Sequence, residues 1–151
     1  MGSRKIANIL DKTASGSHCM SLVEMLTAFD TVEESCLSLV SSKKLKTEVR
    51  RRVAEWKLKL CCDRDAAIED VDALYQTASA LGYSNIENEA TIGVYFSQYC
   101  LRQSQFSRAK FVLTELRAKL SKESKKNDLE VYRYYISLCG KLLDTISKLD
   151  V

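Results

Sequence analysis

Six residues able to cap a helix recur along this chain of 151 residues at nearly equal steps of about 21: Ser21, Ser42, Asp63, Ser84, Ser104 and Asn127. Side chains of this kind accept a hydrogen bond from the unpaired amides of a first helical turn. Each is followed by roughly five turns in which apolar residues fall on one face. That beat predicts an all-α protein of about six long helices, stacked as antiparallel pairs. Proline is absent and glycine occurs only five times. Without proline there is no forced helix break. With few glycines there are few positions free to turn with positive φ.

The apolar stripes give each segment a buried side. Over residues 21–41 the stripe is Leu22, Met25, Leu26, Phe29, Val32, Cys36, Leu39 and Val40, and Ser21 with Glu24 forms a capping box. Over 42–60 it is Leu45, Val49, Val53, Trp56 and Leu60, and lysine and arginine cover most of the remaining surface. A third helix is expected over 63–81, with acidic residues at its positive dipole end and Gly82 at its stop. Ser84 and Glu87 read as a second capping box, opening a helix apolar nearly all round. Ala109, Val112, Leu113, Leu116 and Leu120 line the fifth helix, and residues 121–128 read as an exposed polar linker. Val131, Tyr135, Leu138, Leu142, Ile146 and Leu149 keep three–four spacing in the last, over 127–149. No cap or polar tail follows it, the pattern of a terminal repeat or of a piece of a longer solenoid. Residues 1–18 form a flexible segment or a short helix around Ile6, Ile9 and Leu10, ahead of one helical-repeat domain over 19–151.

Composition narrows the functional classes. A chain of this length buries about 70% of the surface its unfolded form exposes. The net charge of +3, from 23 basic and 20 acidic residues, neither demands nor excludes a polyanionic partner. Six cysteines, at 19, 36, 61, 62, 100 and 139, form no CxxC pair, and His18 is the one histidine. Zinc sites need closely spaced thiolates or imidazoles, so no metal is expected. Cys36, Cys100 and Cys139 fall on or beside apolar helix faces and read as small core residues in a reducing compartment, nuclear or cytoplasmic. No apolar run approaches the ~20 residues of a membrane span. A thiolate at Cys61–Cys62 is conceivable, but no histidine stands in register to act as its base. Gly93 and Gly140 stand alone within helical patterns, so no phosphate-cradling loop exists. No enzymatic activity and no cofactor are expected.

The string QYCLRQSQFSRAKFVLTEL, residues 98–116, resembles the inner turn of a tetratricopeptide repeat. That family sets a small residue at the turn between helices, an aromatic two further on and an alanine three after that, here Ser104, Phe106 and Ala109. Small residues let the two helices cross closely. The first-helix tryptophan and the closing proline of the family are missing, and only Ile92-Gly93 can stand for its Leu-Gly pair. Two helices here take about 42 residues instead of 34. The rhythm is similar to the long irregular repeats of chromosome-biology scaffolds, among them separase, the cohesin loader's scaffold subunit and a meiotic group. HEAT-like repeats, with periods of about 40–47, remain a competing assignment. The resemblance implies a tetratricopeptide-like α-solenoid whose groove binds a segment of another protein.

Two surfaces stand out. The second helix carries Lys43, Lys46, Arg50, Arg51, Arg52 and Lys57 beside its apolar stripe. Successive arginines fan out by about 100° each, so at least one or two must face solvent. Arginine pairs carboxylates in a two-pronged fashion, which points to an acidic protein segment with one or two apolar anchors. KKLKTEVRRR also resembles a two-part nuclear import signal. Tyr132 and Tyr134 are the other contact candidates, since Tyr132, Tyr134 and Tyr135 cannot all face one side of a helix. The expected function is that of a non-enzymatic protein-interaction scaffold. A nucleic-acid-associated adaptor using the basic helix and a closed helical bundle used for dimerisation are the alternatives. Neither a membrane nor a small-molecule substrate is expected as partner.

Overall fold

The computed structural model describes residues 2–16 and 20–149, and the expectations placed on His18 and Cys19 lie outside them. The described residues form seven α-helices and no strand. In order they are α1 (Ser3–Ser15), α2 (Leu22–Leu39), α3 (Lys43–Asp63), α4 (Ile68–Leu81), α5 (Ile86–Arg102), α6 (Phe106–Lys126) and α7 (Glu130–Leu149). The chain divides into two compact units, residues 1–84 and 85–151.

Five of the six helix starts fall within three residues of their expected caps. Ser21 caps α2 in a complete capping box: the Glu24 amide donates to Ser21 Oγ at 3.1 Å, and the Ser21 amide donates to Glu24 Oε1 at 3.2 Å. Ser42 caps α3, accepting from the Leu45 amide at 3.4 Å.

The start expected at Asp63 is displaced. α3 runs on through Asp63, and α4 begins at Ile68. The stop comes from Asp65, held in the left-handed region at φ 49°. Its amide donates to the Cys62 carbonyl and that of Ala66 to the Cys61 carbonyl, at 3.2 and 3.0 Å. This is a Schellman motif, with an aspartate where glycine is commoner. The same closure ends α5. Ser104, expected as a cap, sits at φ 58°, and the Ser104 and Gln105 amides donate to Leu101 and Cys100 carbonyls. α6 then begins without a side-chain cap.

The expected linker over 121–128 is also corrected. α6 continues to Lys126, and Asn127 ends it instead of opening α7. Residues 121–126 contain no glycine or proline, so nothing in them breaks a helix already anchored by buried Leu120.

In the first unit, α1 packs on α2 and α3, and α3 packs on α2 and α4. Ser3 donates to Glu48, and further along Asp11 acts on Lys59, so α1 and α3 run parallel. α2 is antiparallel to both. Ile6, Leu10, Met25, Phe29, Cys36, Val49 and Val53 form the shared core. α1 is thus part of the unit and not an appendage. In the second unit, α6 packs on α5 and α7, and α5 touches α7. A hydrogen bond of 2.8 Å joins Thr91 and Tyr135 hydroxyls near the start of each, so α5 and α7 also run parallel. α5 and α6 approach closely at Gly93: a β-carbon there would stand 2.9 Å from Leu116 Cδ2.

Candidate functional site

α3 is the helix around which the first unit is organised. Arg51 and Glu55 lie one turn apart on the side facing α4. Arg51 Nε donates to the Leu81 carbonyl at 2.7 Å, taking up an acceptor left free where α4 ends. Its guanidinium lies against Gly82, whose φ of 77° suits a residue without a β-carbon.

Glu55 is almost fully buried, 4% exposed. Its carboxylate accepts from the Ser84 amide at 2.9 Å and from the Ser84 hydroxyl at 2.9 and 3.0 Å. This overturns the capping box expected at Ser84 with Glu87. A buried carboxylate requires donors, and Ser84 supplies two. Asn85 takes over as the cap of α5, accepting from the Asn88 amide at 2.8 Å.

The other cations of α3 divide into paired and exposed. Arg52 Nε contacts Glu48 at 3.1 Å, and Lys57 pairs with Asp30 of α2. Lys59 sits 4.7 Å from the Trp56 ring centre, and Trp56 stacks on Phe29 at 6.2 Å. Burial pushes the Lys59 ammonium below the usual lysine range, against the opposing pull of Glu55, Asp11 and Asp63. Lys43 and Arg50 are exposed, and Lys46 is half-buried. Of the three successive arginines only Arg50 is exposed, and its guanidinium has no hydrogen-bond partner among the described residues.

Arg50 stands at the rim of a cavity of about 490 Å³ bounded by three helices. α3 contributes Arg50, Val53, Ala54 and Lys57. α4 contributes Leu74, Thr77, Ala80 and Leu81, and α2 contributes Glu33. The walls are apolar, with charge confined to Arg50, Lys57 and Glu33. Burial pushes the Glu33 carboxyl above the usual glutamate range. Asp30 adds to this, while Lys57 and Arg50 oppose it. The volume lies within the ~300–1,000 Å³ typical of ligand pockets. Arg50 and Lys57 are legible in the sequence as members of a dense basic helix; Glu33, Glu55 and the α4 wall are not. The signal for Glu55 in the sequence is its place one turn after Arg51, in a helix where basic residues far outnumber acidic ones.

The tyrosine candidates belong to the second unit. Tyr132 is half-buried. Tyr134 is 60% exposed and meets Tyr135 edge-on, with ring centres 5.1 Å apart. Arg133 between them pairs with Asp128 at 2.9 Å.

Cys36, Cys61, Cys62, Cys100 and Cys139 are buried and unbridged. Burial pushes the thiols of Cys36, Cys61 and Cys139 up, away from the thiolate a nucleophile requires. Among the described residues no three carboxylate, cysteine or histidine groups gather as a metal site would need. No described helix is long and apolar enough to cross a membrane. In comparison with known proteins, the chain matches no family model, no curated protein and no solved structure.

Proposed function

We propose that this protein is a non-enzymatic interaction scaffold that holds an acidic segment of a partner protein in the groove between α2 and α4, floored by α3. The observation that carries this reading is the cavity itself, with apolar walls and the exposed guanidinium of Arg50 at its rim. The walls accept one or two apolar side chains, and Arg50 supplies a two-pronged donor for a carboxylate. The parallel–antiparallel order of α1, α2 and α3, repeated in α5, α6 and α7, supports a tetratricopeptide-like helical repeat. Lys43 and Lys46 lie in the same unit outside the cavity lining and serve as secondary contacts.

The nucleic-acid reading is weaker. Arg51, Arg52 and Lys57 are engaged within the protein, which leaves few cations on α3 for phosphates. A phosphate-reading surface also loses affinity steeply with salt.

The test compares capture by the intact chain with capture by Arg50→Glu and Ala80→Trp, at low and high salt. Ala80 is exposed on the groove wall, so tryptophan there fills the groove without entering the core. The reading expects one partner that survives high salt and is lost with both variants. Recovery of the same proteins by all three forms would move the binding site elsewhere, Tyr134 being the first place to look.

A further inference from the structure

The reading just given leaves the conformation of the bound segment open. Resting on that reading, we infer that the occupant of the groove is an amphipathic α-helix of a partner protein, seated by two apolar side chains one turn apart and by a carboxylate on Arg50.

The lining positions carry this. On α3 they are 50, 53, 54 and 57, one helical face over two turns. On α4 they are 74, 77, 80 and 81, again one face over two turns. The slot is therefore about 10 Å long and walled by helical ridges, the surface into which the ridges of a third helix pack. Two anchors one turn apart fill that length.

Backbone polarity separates a helix from an extended segment. Every wall of the groove is helix, with its amides and carbonyls already bonded within the helix. The polar groups of the lining are the Thr77 hydroxyl and the charged ends of Glu33, Arg50 and Lys57. An extended chain would bring unpaired amides and carbonyls to apolar walls that cannot satisfy them. A helix brings its own bonds and presents only side chains.

Charge sets the orientation. Lys57 is held by Asp30, while Arg50 is exposed and has no hydrogen-bond partner among the described residues. A partner carboxylate one turn from an anchor meets Arg50 at the rim and fixes the direction in which the helix lies.

The test is a displayed library of random peptides, each long enough for about four turns, selected on the intact chain. Selected peptides are synthesised, and their binding is measured to the parent, Ala80→Trp and Arg50→Glu. Thr77→Arg, from a second exposed position on the same wall, replaces Ala80→Trp if that variant melts early. The inference expects Leu, Ile or Phe at three- or four-residue spacing with Asp or Glu one turn away. It expects helical circular dichroism on binding, and affinity lowered about tenfold or more by the groove-filling variant and several-fold by Arg50→Glu. Enriched peptides that alternate apolar and polar residues or are rich in proline, yet are blocked by Ala80→Trp, would overturn the helix and leave the groove reading intact. Binding indifferent to Ala80→Trp, or no enrichment, would overturn both.

Discussion

Gly93 in α5 offers the sharpest test of how the second unit is packed. Alanine is the better helix former by about 1 kcal/mol in an exposed interior position. Propensity alone therefore predicts that Gly93→Ala stabilises. The structure opposes that gain. The new methyl group would stand 2.9 Å from Leu116 Cδ2, where comfortable carbon contacts begin near 3.5 Å. Leu116 is 6% exposed on the facing helix, so it must turn or α6 must retreat. Overpacking of this kind costs about 1–3 kcal/mol. Offset by the propensity gain, Gly93→Ala should destabilise by up to about 2 kcal/mol. In a Leu116→Ala background the obstacle is gone, and the same change should be neutral or stabilising by up to about 1 kcal/mol. Urea unfolding of the four proteins, followed by far-ultraviolet circular dichroism, closes the cycle. Trp56, the one tryptophan, reports the first unit separately. A Gly93→Ala protein that is more stable than the parent by the same margin in both backgrounds would mean that α5 and α6 do not cross closely there.

Asn85→Ala should cost about 1 kcal/mol as a lost cap. Ser84→Ala should cost about 1–3 kcal/mol by taking a donor from buried Glu55; melting temperatures check both, and a silent Asn85→Ala would restore Ser84 as the cap. Ser124→Pro should destabilise by about 3 kcal/mol because α6 runs through it, whereas proline in a true linker would pass unnoticed in a thermal melt. Glu33→Gln should raise the melting temperature at neutral pH. A carboxyl raised by burial favours the folded state only while it is protonated, so this advantage should fade as pH falls below the usual glutamate range near 4.5. A constant difference across that range would show that the Glu33 charge is not what burial disfavours.

How far the sequence could be read depends on how local each signal is. Ser21 with Glu24 and Ser42 succeeded because a cap and its amide lie three residues apart, with no rival partner nearby. Ser84 carried the same local signature and failed. A carboxylate 29 residues earlier outbids a solvent-exposed amide, and no window of one helix contains that competition. Asp63 failed for a different reason. Position 65 turns left-handed, and aspartate tolerates that turn without advertising it as glycine would. At 121–126 polarity reads as a break, although lysine, glutamate and serine without glycine or proline extend a helix on its solvent side. For the groove, α3 was legible because its charge is dense. The α4 wall was not: Leu74, Thr77, Ala80 and Leu81 read as ordinary core and surface until α3 and α2 are placed beside them.

The five buried thiols have a use as reporters. Cys36, Cys61 and Cys62 belong to the first unit, and Cys100 and Cys139 to the second. A thiol reagent reaches a buried cysteine only when the surrounding helices open, so its rate of labelling reads the free energy of that opening. Variants keeping one cysteine each would report residue by residue from α2 to α7 under native conditions. If Cys36 and Cys139 label with the same opening free energy, the halves of the chain melt as one. If they differ, one unit can come apart while the other stays folded.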